Sequence, residues 1–276
     1  MQAKQSLTAN YQRTIPILAT CITIIGLFIL MNSAARARSS QGMRQVKLSV
    51  EDPRPVAKLI EMLEEEYGWV ITYEDPRYVY ANDIEDVTLK VCRDLDKYKP
   101  GEAPKVLVPR GGILEFTYDV APDTKLPTDP VVVVQRLLDA QAASSHGSRF
   151  RLEKSGIALH VVPAAIKNKE GKLVPQGSVL DTVISLPAGE RTILQKLESL
   201  CGAISRATSI PVELGTIPDN WFSRRQNRQG ATNQKARDIL VNTFATMDHG
   251  ANLSWQLFYG PGTRRYILNI HLVRRR

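Results

Sequence analysis

Two stretches of this 276-residue chain repeat one another, and that repetition limits the folds open to it more than any other feature. Asp139–Ala143, Ser144–Phe150 and Ile157–Val162 return as Asn242–Thr246, Met247–Leu253 and Ile267–Val273. Both copies read helix, His-Gly (His146, His249), strand, turn, strand, with a second His (His160, His271) in the closing strand. Repetition of this kind points to tandem small modules more often than to one active site.

The preceding segments echo each other too. Val46–Val50 alternates apolar and polar residues, the period of a half-buried strand. Pro53 and Pro55 suit a first helical turn, where a missing N–H costs nothing. Val56, Leu59, Ile60 and Leu63 then fall at helical spacing, Gly68 offers a left-handed cap, and Trp69–Tyr73 is rich in strand formers. Downstream, Val183–Leu186 reads as a strand, Ile193, Leu194, Leu197 and Leu200 stripe a helix, and Pro211–Leu214 gives a short strand. Helices over Val131–Ala142 and Ala236–Met247 lead into hairpins, Arg149–Lys154 with Ile157–Val162 and Leu253–Tyr259 with Arg265–Val273. His146 to His160 spans 14 residues and His249 to His271 spans 22. Four extra residues per strand would lengthen the ribbon and leave every side chain on its original face.

The expectation is an α+β fold of two tandem modules, each strand, helix, strand, then helix and β-hairpin. The first covers residues 38–165 with an insertion at 76–129, residues 166–178 form a linker, and the second covers 179–276. Within the insertion, Lys105–Val108 and Leu114–Tyr118 carry strand patterns around Gly111-Gly112.

Residues 1–37 carry the address. Lys4 and Arg13 precede an apolar run, Ile15–Met31, and Ala35-Arg36-Ala37 follows as a small-x-small cleavage pattern. This is the layout of a secretory signal and sends the body to the periplasm or another extracytoplasmic space. Seventeen apolar residues also suffice, at the short limit, to cross about 30 Å of hydrocarbon, so anchoring in the inner membrane by residues 15–31 is the alternative. Leu18-Ala19-Thr20-Cys21 is a poor lipoprotein site because the apolar core continues beyond Cys21.

Of the formal charge of +8, Lys4, Arg13 and Arg36 account for three, which leaves a mildly basic body. Its basic clusters lie on a loop and at the terminus, where a solvated run explains them better than nucleic acid does. Cys92 and Cys201 could form a disulfide if their Cα atoms came within about 4.4–6.8 Å, with two free thiols the default reading. The four histidines lack the close spacing of a zinc site, and Asp83, Glu85, Asp86, Asp94 and Asp96 lack that of a calcium loop, so no metal is assigned. No nucleophile elbow or phosphate loop is present, so no catalytic residue and no cofactor is assigned. Trp221-Phe222, beside Arg224, Arg225 and Arg228 and outside any clear element, reads as a candidate interface anchor.

The helix Val56/Leu59/Ile60/Leu63, the run Gly68-Trp69-Val70-Ile71-Thr72-Tyr73 and the later helix Leu137-Leu138 leading to the hairpin ending at Val162 resemble the short N-terminal modules that precede secretin channels and TonB-dependent receptors. The second copy follows more loosely, with Ser205 where the Gly stands in the first. The resemblance implies a small periplasmic α+β fold that docks on other envelope proteins, and it carries no catalytic residue. The leading expectation is a non-enzymatic interaction protein of the cell envelope, with an envelope hydrolase or carbohydrate-binding protein using a cleft between modules as the alternative.

Overall fold

The computed structural model describes residues 43–99, 102–122, 126–127, 129–144, 148–247 and 252–274. The signal or anchor segment, His146, His249 and their glycines lie outside the described residues. Backbone contacts divide the chain into two units. One takes residues 1–45 and 119–128, and its described part includes a bridge between Val120 and Pro127. The other takes Val46–Tyr118 with Asp129–Arg276 and holds the main sheet with its helices.

The first part of the chain forms β1 (Arg44–Asp52), α1 (Pro55–Tyr67), β2 (Ile71–Glu74), β3 (Ile84–Asp86), the single turn α2 (Thr88–Val91), β4 (Leu107–Pro109), β5 (Gly112–Val120), α3 (Pro130–Ala143), β6 (Arg149–Ser155) and β7 (Ala158–Lys167). The second part forms β8 (Leu173–Pro175), β9 (Val183–Leu186), β10 (Arg191–Thr192), α4 (Ile193–Thr208), β11 (Val212–Leu214), the turn α5 (Asp219–Phe222), β12 (Gln226–Asn227), β13 (Ala231–Lys235), α6 (Ala236–Ala245), β14 (Asn252–Gly260) and β15 (Arg265–Val273). The fold is α+β.

Local signals set the helices. Pro55 opens α1, whose buried stripe is Val56, Leu59, Ile60 and Leu63, and Gly68 closes it at φ 67°, a conformation that a Cβ would strain. Thr192 and Gln195 form a reciprocal capping box at the start of α4. Asp129 caps α3 by accepting from the Val131 N–H at 2.9 Å.

The second strand and the hairpin expected of each module share one sheet, in the order β11-β15-β14-β2-β7-β6, with β8 also paired to β7, while the expected opening strands lie outside it, β1 paired with β5 and β9 with β13. The join is β14 beside β2, parallel, with Gln256 opposite Tyr73 and Leu257 opposite Glu74. Residues 166–178, expected as a linker, contain the end of β7 and all of β8. Within each half the strands have the same arrangement. β2 is parallel to β7, which is antiparallel to β6, while β11 is parallel to β15, which is antiparallel to β14.

The two halves nevertheless run in opposite senses. Following the pairings across the sheet, β11, β15 and β6 point one way and β14, β2 and β7 the other. A half that reverses its strands while keeping their lateral order must also turn over its faces. The contacts agree: Trp255, Leu257, Leu268 and Ile270 pack in one cluster with Leu197, Leu200, Ile239 and Leu240 of α4 and α6, whereas Gln256, on the alternate face, meets Glu61 of α1. Thus α1 covers one face and α4 with α6 the other.

Candidate interaction surfaces

Each half has a helix-covered face and a face turned away from its own helices, and the chemistry of the molecule lies on the latter. On the first half it carries Thr72, Glu74, Glu153 and His160, given their register with Trp255 and Leu257. On the second half it carries Gln256, Asn269 and His271. The two closing-strand histidines therefore lie on opposite faces of the sheet, and they do not form a common site.

The first such face is closed by an ionic knot. Arg237, the second residue of α6, donates from Nε and Nη2 to the two oxygens of Glu74 at 2.8 and 2.9 Å. Its Nη1 reaches Asp181 at 2.6 Å and Glu153 at 3.1 Å, and Arg151 joins Glu153 at 2.8 Å to Asp181 at 3.1 Å. The Asp181 carboxyl is opposed by burial, but Arg237 and Arg151 outweigh that and hold it below its ordinary range. His160 lies beneath, its Nδ1 2.8 Å from Thr72 Oγ1 and its ring stacked on Trp255 at 5.1 Å. Burial first, then the Arg237 charge, pull its pKa down to about 4, so it is neutral over the physiological range.

The join between halves is reinforced by a second buried carboxylate. Asp75 Oδ2 accepts from Arg54 Nε at 2.7 Å and from the Tyr259 N–H at 2.8 Å, and Oδ1 accepts from the Tyr73 hydroxyl at 2.8 Å. Arg54 also donates to the Tyr259 carbonyl at 2.8 Å and lies 4.8 Å over the Phe258 ring. Burial pushes the Asp75 carboxyl up against the pull of Arg54. The paired carboxylates Glu74 and Asp75 thus serve different clamps.

The second face is open. A groove of about 760 Å³ runs between α1 and the β14–β15 ribbon, walled by Glu61, Glu64 and Glu65 and floored by Gln256, Asn269 and His271. Glu64 Oε1 accepts from the Ile71 N–H at 3.1 Å and its Oε2 lies 2.8 Å from His271 Nε2. Glu61 binds Lys58 at 2.8 Å and Gln256 at 3.0 Å. Burial lowers the His271 pKa, but the hydrogen bond and charge of Glu64 outweigh it and raise it.

The sheet also ends in two edges. The two-residue turn at Gly156-Ile157 makes Ser155, Glu153 and Arg151 hydrogen-bond with β7, which turns the backbone of Phe150, Leu152 and Lys154 outward. No described strand pairs on that side. At the other end, the Tyr266 N–H donates to the Pro211 carbonyl and the Gly215 N–H to Leu268, so Val212 and Leu214 face outward. The Val212 N–H is met by Ser205 Oγ at 2.8 Å, as the Ile71 N–H is met by Glu64, and Leu214 is the open residue.

The residues expected to anchor an interface are only partly on the surface. Phe222 is 0% exposed, stacked between Trp221 and Phe244, so it is corrected to a core residue. Trp221 is half-buried with the Arg225 guanidinium 5.2 Å over its ring, Arg224 is exposed, and Arg228 pairs with Glu190. The single turn Asp219–Phe222 drives Phe222 inward, which a reading of Trp221–Gln229 as irregular could not foresee. Cys92 and Cys201 are both free thiols, and burial pushes the Cys201 pKa up to about 12. No group of metal-ligating side chains occurs among the described residues, and no described helix is long and apolar enough to cross a membrane. Arg54, Arg237 and Asp181 went unnoticed in the sequence because each gains its role only through partners distant along the chain. No protein-family model, curated protein or solved structure matches this chain.

Proposed function

We propose that this chain is a non-enzymatic protein–protein interaction module of the cell envelope, directed there by its N-terminal segment and working through strand addition. The observation that carries the reading is the outer edge of β6. It presents the outward backbone of Phe150, Leu152 and Lys154, with half-buried apolar side chains at Phe150 and Leu152. Such an edge accepts an extended segment by main-chain hydrogen bonds, while alternate side chains supply selectivity. The groove supports the same reading, because the hydrogen bonds of Glu61 and Glu64 run to Lys58, Gln256, Ile71 and His271 of the fold itself.

The test places a photoreactive residue at Leu152 of the full chain in its native envelope, with Leu89, which is 83% exposed, as control. A discrete protein adduct at Leu152, absent at Leu89 and lost when Lys154→Pro removes an outward N–H, is the expected result. Equal labelling at both positions, or glycan binding by the purified chain with no adduct at Leu152, overturns it.

A further inference from the structure

The outer edges of this sheet are of the same two kinds as the strands that meet at its centre. β14 and β6 occupy equivalent places in their halves, as the opening strand of the hairpin. β2 and β11 are likewise equivalent, each parallel to the closing strand and each with its first N–H on the side away from that strand met by a helix side chain, Glu64 or Ser205. At the centre β14 meets β2. At the margins a β14-type strand, β6, and a β2-type strand, β11, have no outer neighbour among the described residues.

Direction is compatible too. β6 and β11 point the same way, so a second copy shifted along the sheet would lay its β11 parallel to the first copy's β6, as β2 lies parallel to β14. The faces also match, since β6 continues the reversed pattern that β14 sets. Resting on the strand-addition reading above, we propose that the edge of β6 takes β11 of a second copy of this chain, head to tail.

The register comes from equivalence. Leu214 takes the place of Tyr73 and Gly215 that of Glu74, both fixed by their partners on the closing strands (Leu268 and Val161 for Leu214 and Tyr73). Arg151 takes the place of Gln256 and Leu152 that of Leu257. Leu214 therefore lies opposite Arg151, with its N–H aimed at Phe150 and its carbonyl at Leu152. The central join uses only two opposed pairs, so the brevity of β11 is no bar. What the outer join lacks is the clamp: Thr216 stands where Asp75 accepts from Arg54 and the Tyr259 N–H. The central join is thus permanent and the outer one reversible. The two edges differ, so the contact is heterologous and extends to further copies unless the ends close.

The experiment uses full chains in which Cys21 and Cys92 are replaced by Ser, leaving the buried Cys201. Neighbouring parallel strands lie about 4.8 Å apart, within the span a disulfide bridges. Arg151→Cys and Leu214→Cys chains, mixed and oxidised, should give a cross-linked dimer, and the double variant a ladder. Neither single variant alone should cross-link, nor should Leu89→Cys with either. Leu152→Pro, which removes the N–H that meets the Leu214 carbonyl, or Leu214→Pro should abolish the dimer, and Leu152→Lys, on a strand that stays intact, should weaken it several-fold. Self-linking of Arg151→Cys as strong as the mixed reaction, or a mixture that stays monomeric while circular dichroism shows both variants folded, overturns the proposal. A monomeric mixture beside a specific envelope adduct at Leu152 removes the second copy as the partner and leaves strand addition standing.

Discussion

Replacing Arg237 with Met should destabilise this protein more than almost any other change of one charged residue. The Arg237 side chain is 4% exposed and that of Glu74 0%, so removing the guanidinium strands a carboxylate with no access to water. Breaking a buried pair from one side typically costs about 3–5 kcal/mol, a large part of the roughly 5–15 kcal/mol that holds a domain together. With a urea slope of about 2–3 kcal/mol/M, the midpoint should fall by roughly 1–2 M. Glu115→Gln provides the scale for a surface pair: its partner Lys47 lies at 2.7 Å, but both side chains are about half exposed. That loss should stay under about 1 kcal/mol. The decisive variant is Arg237→Met with Glu74→Leu, which removes both charges at once. Two apolar side chains of similar bulk should restore most of the stability, because the main cost is the orphaned carboxylate. Urea unfolding followed by tryptophan fluorescence measures all three. Arg237→Met unfolding within error of Glu115→Gln, or a double variant no more stable than Arg237→Met alone, refutes the orphaned carboxylate as the main cost.

Three further outcomes are expected. His160 titrates near 4 when folded and about 6.5 when unfolded, so the unfolded chain takes up the proton first as pH falls; stability should drop between those values by up to about 3 kcal/mol, and His160→Phe should flatten the urea midpoint against pH there. A native thiol titration should modify Cys92 and spare Cys201, whose pKa burial pushes up to about 12, with Cys201 reacting only in denaturant; reaction of Cys201 at a rate like that of Cys92 in the folded state contradicts the packing. Phe222→Ala should cost about 3–5 kcal/mol by calorimetry or urea unfolding, whereas Arg224→Ala on the exposed side should cost under about 0.5 kcal/mol.

The local elements were legible from the sequence and their assembly was not. The stripes at Val56–Leu63, Ile193–Leu200 and Ala236–Phe244 mark helices because each buries one face, and period and burial agree there. Gly68 is readable as a cap because its positive φ leaves little choice of residue. The hairpins fall where the alternation put them, and His160 and His271 lie on faces turned from their own helices. By contrast, the pairing of Tyr73 with Gln256 joins residues far apart in the chain, and nothing near either one encodes it. Phe222 shows the same limit: polar neighbours from Ser223 to Gln229 suggest exposure, while Phe244 and the α4–α6 core bury it.

The position of β2 has a consequence for how the protein is made. It is four residues long, buried throughout, and lies between β7 and β14, so Tyr73 waits for Val161 on one side and Gln256 on the other. A chain emerging N-terminal end first releases its central strand long before that strand's second neighbour. Until residues 252–260 emerge, β2 remains a strand with one open side, the state most prone to wrong pairing. Such long-range closure is slow, on the order of milliseconds to seconds. Synthesis of this chain is therefore a stage in which β2 must be kept from pairing too soon, and β14 acts as the latch.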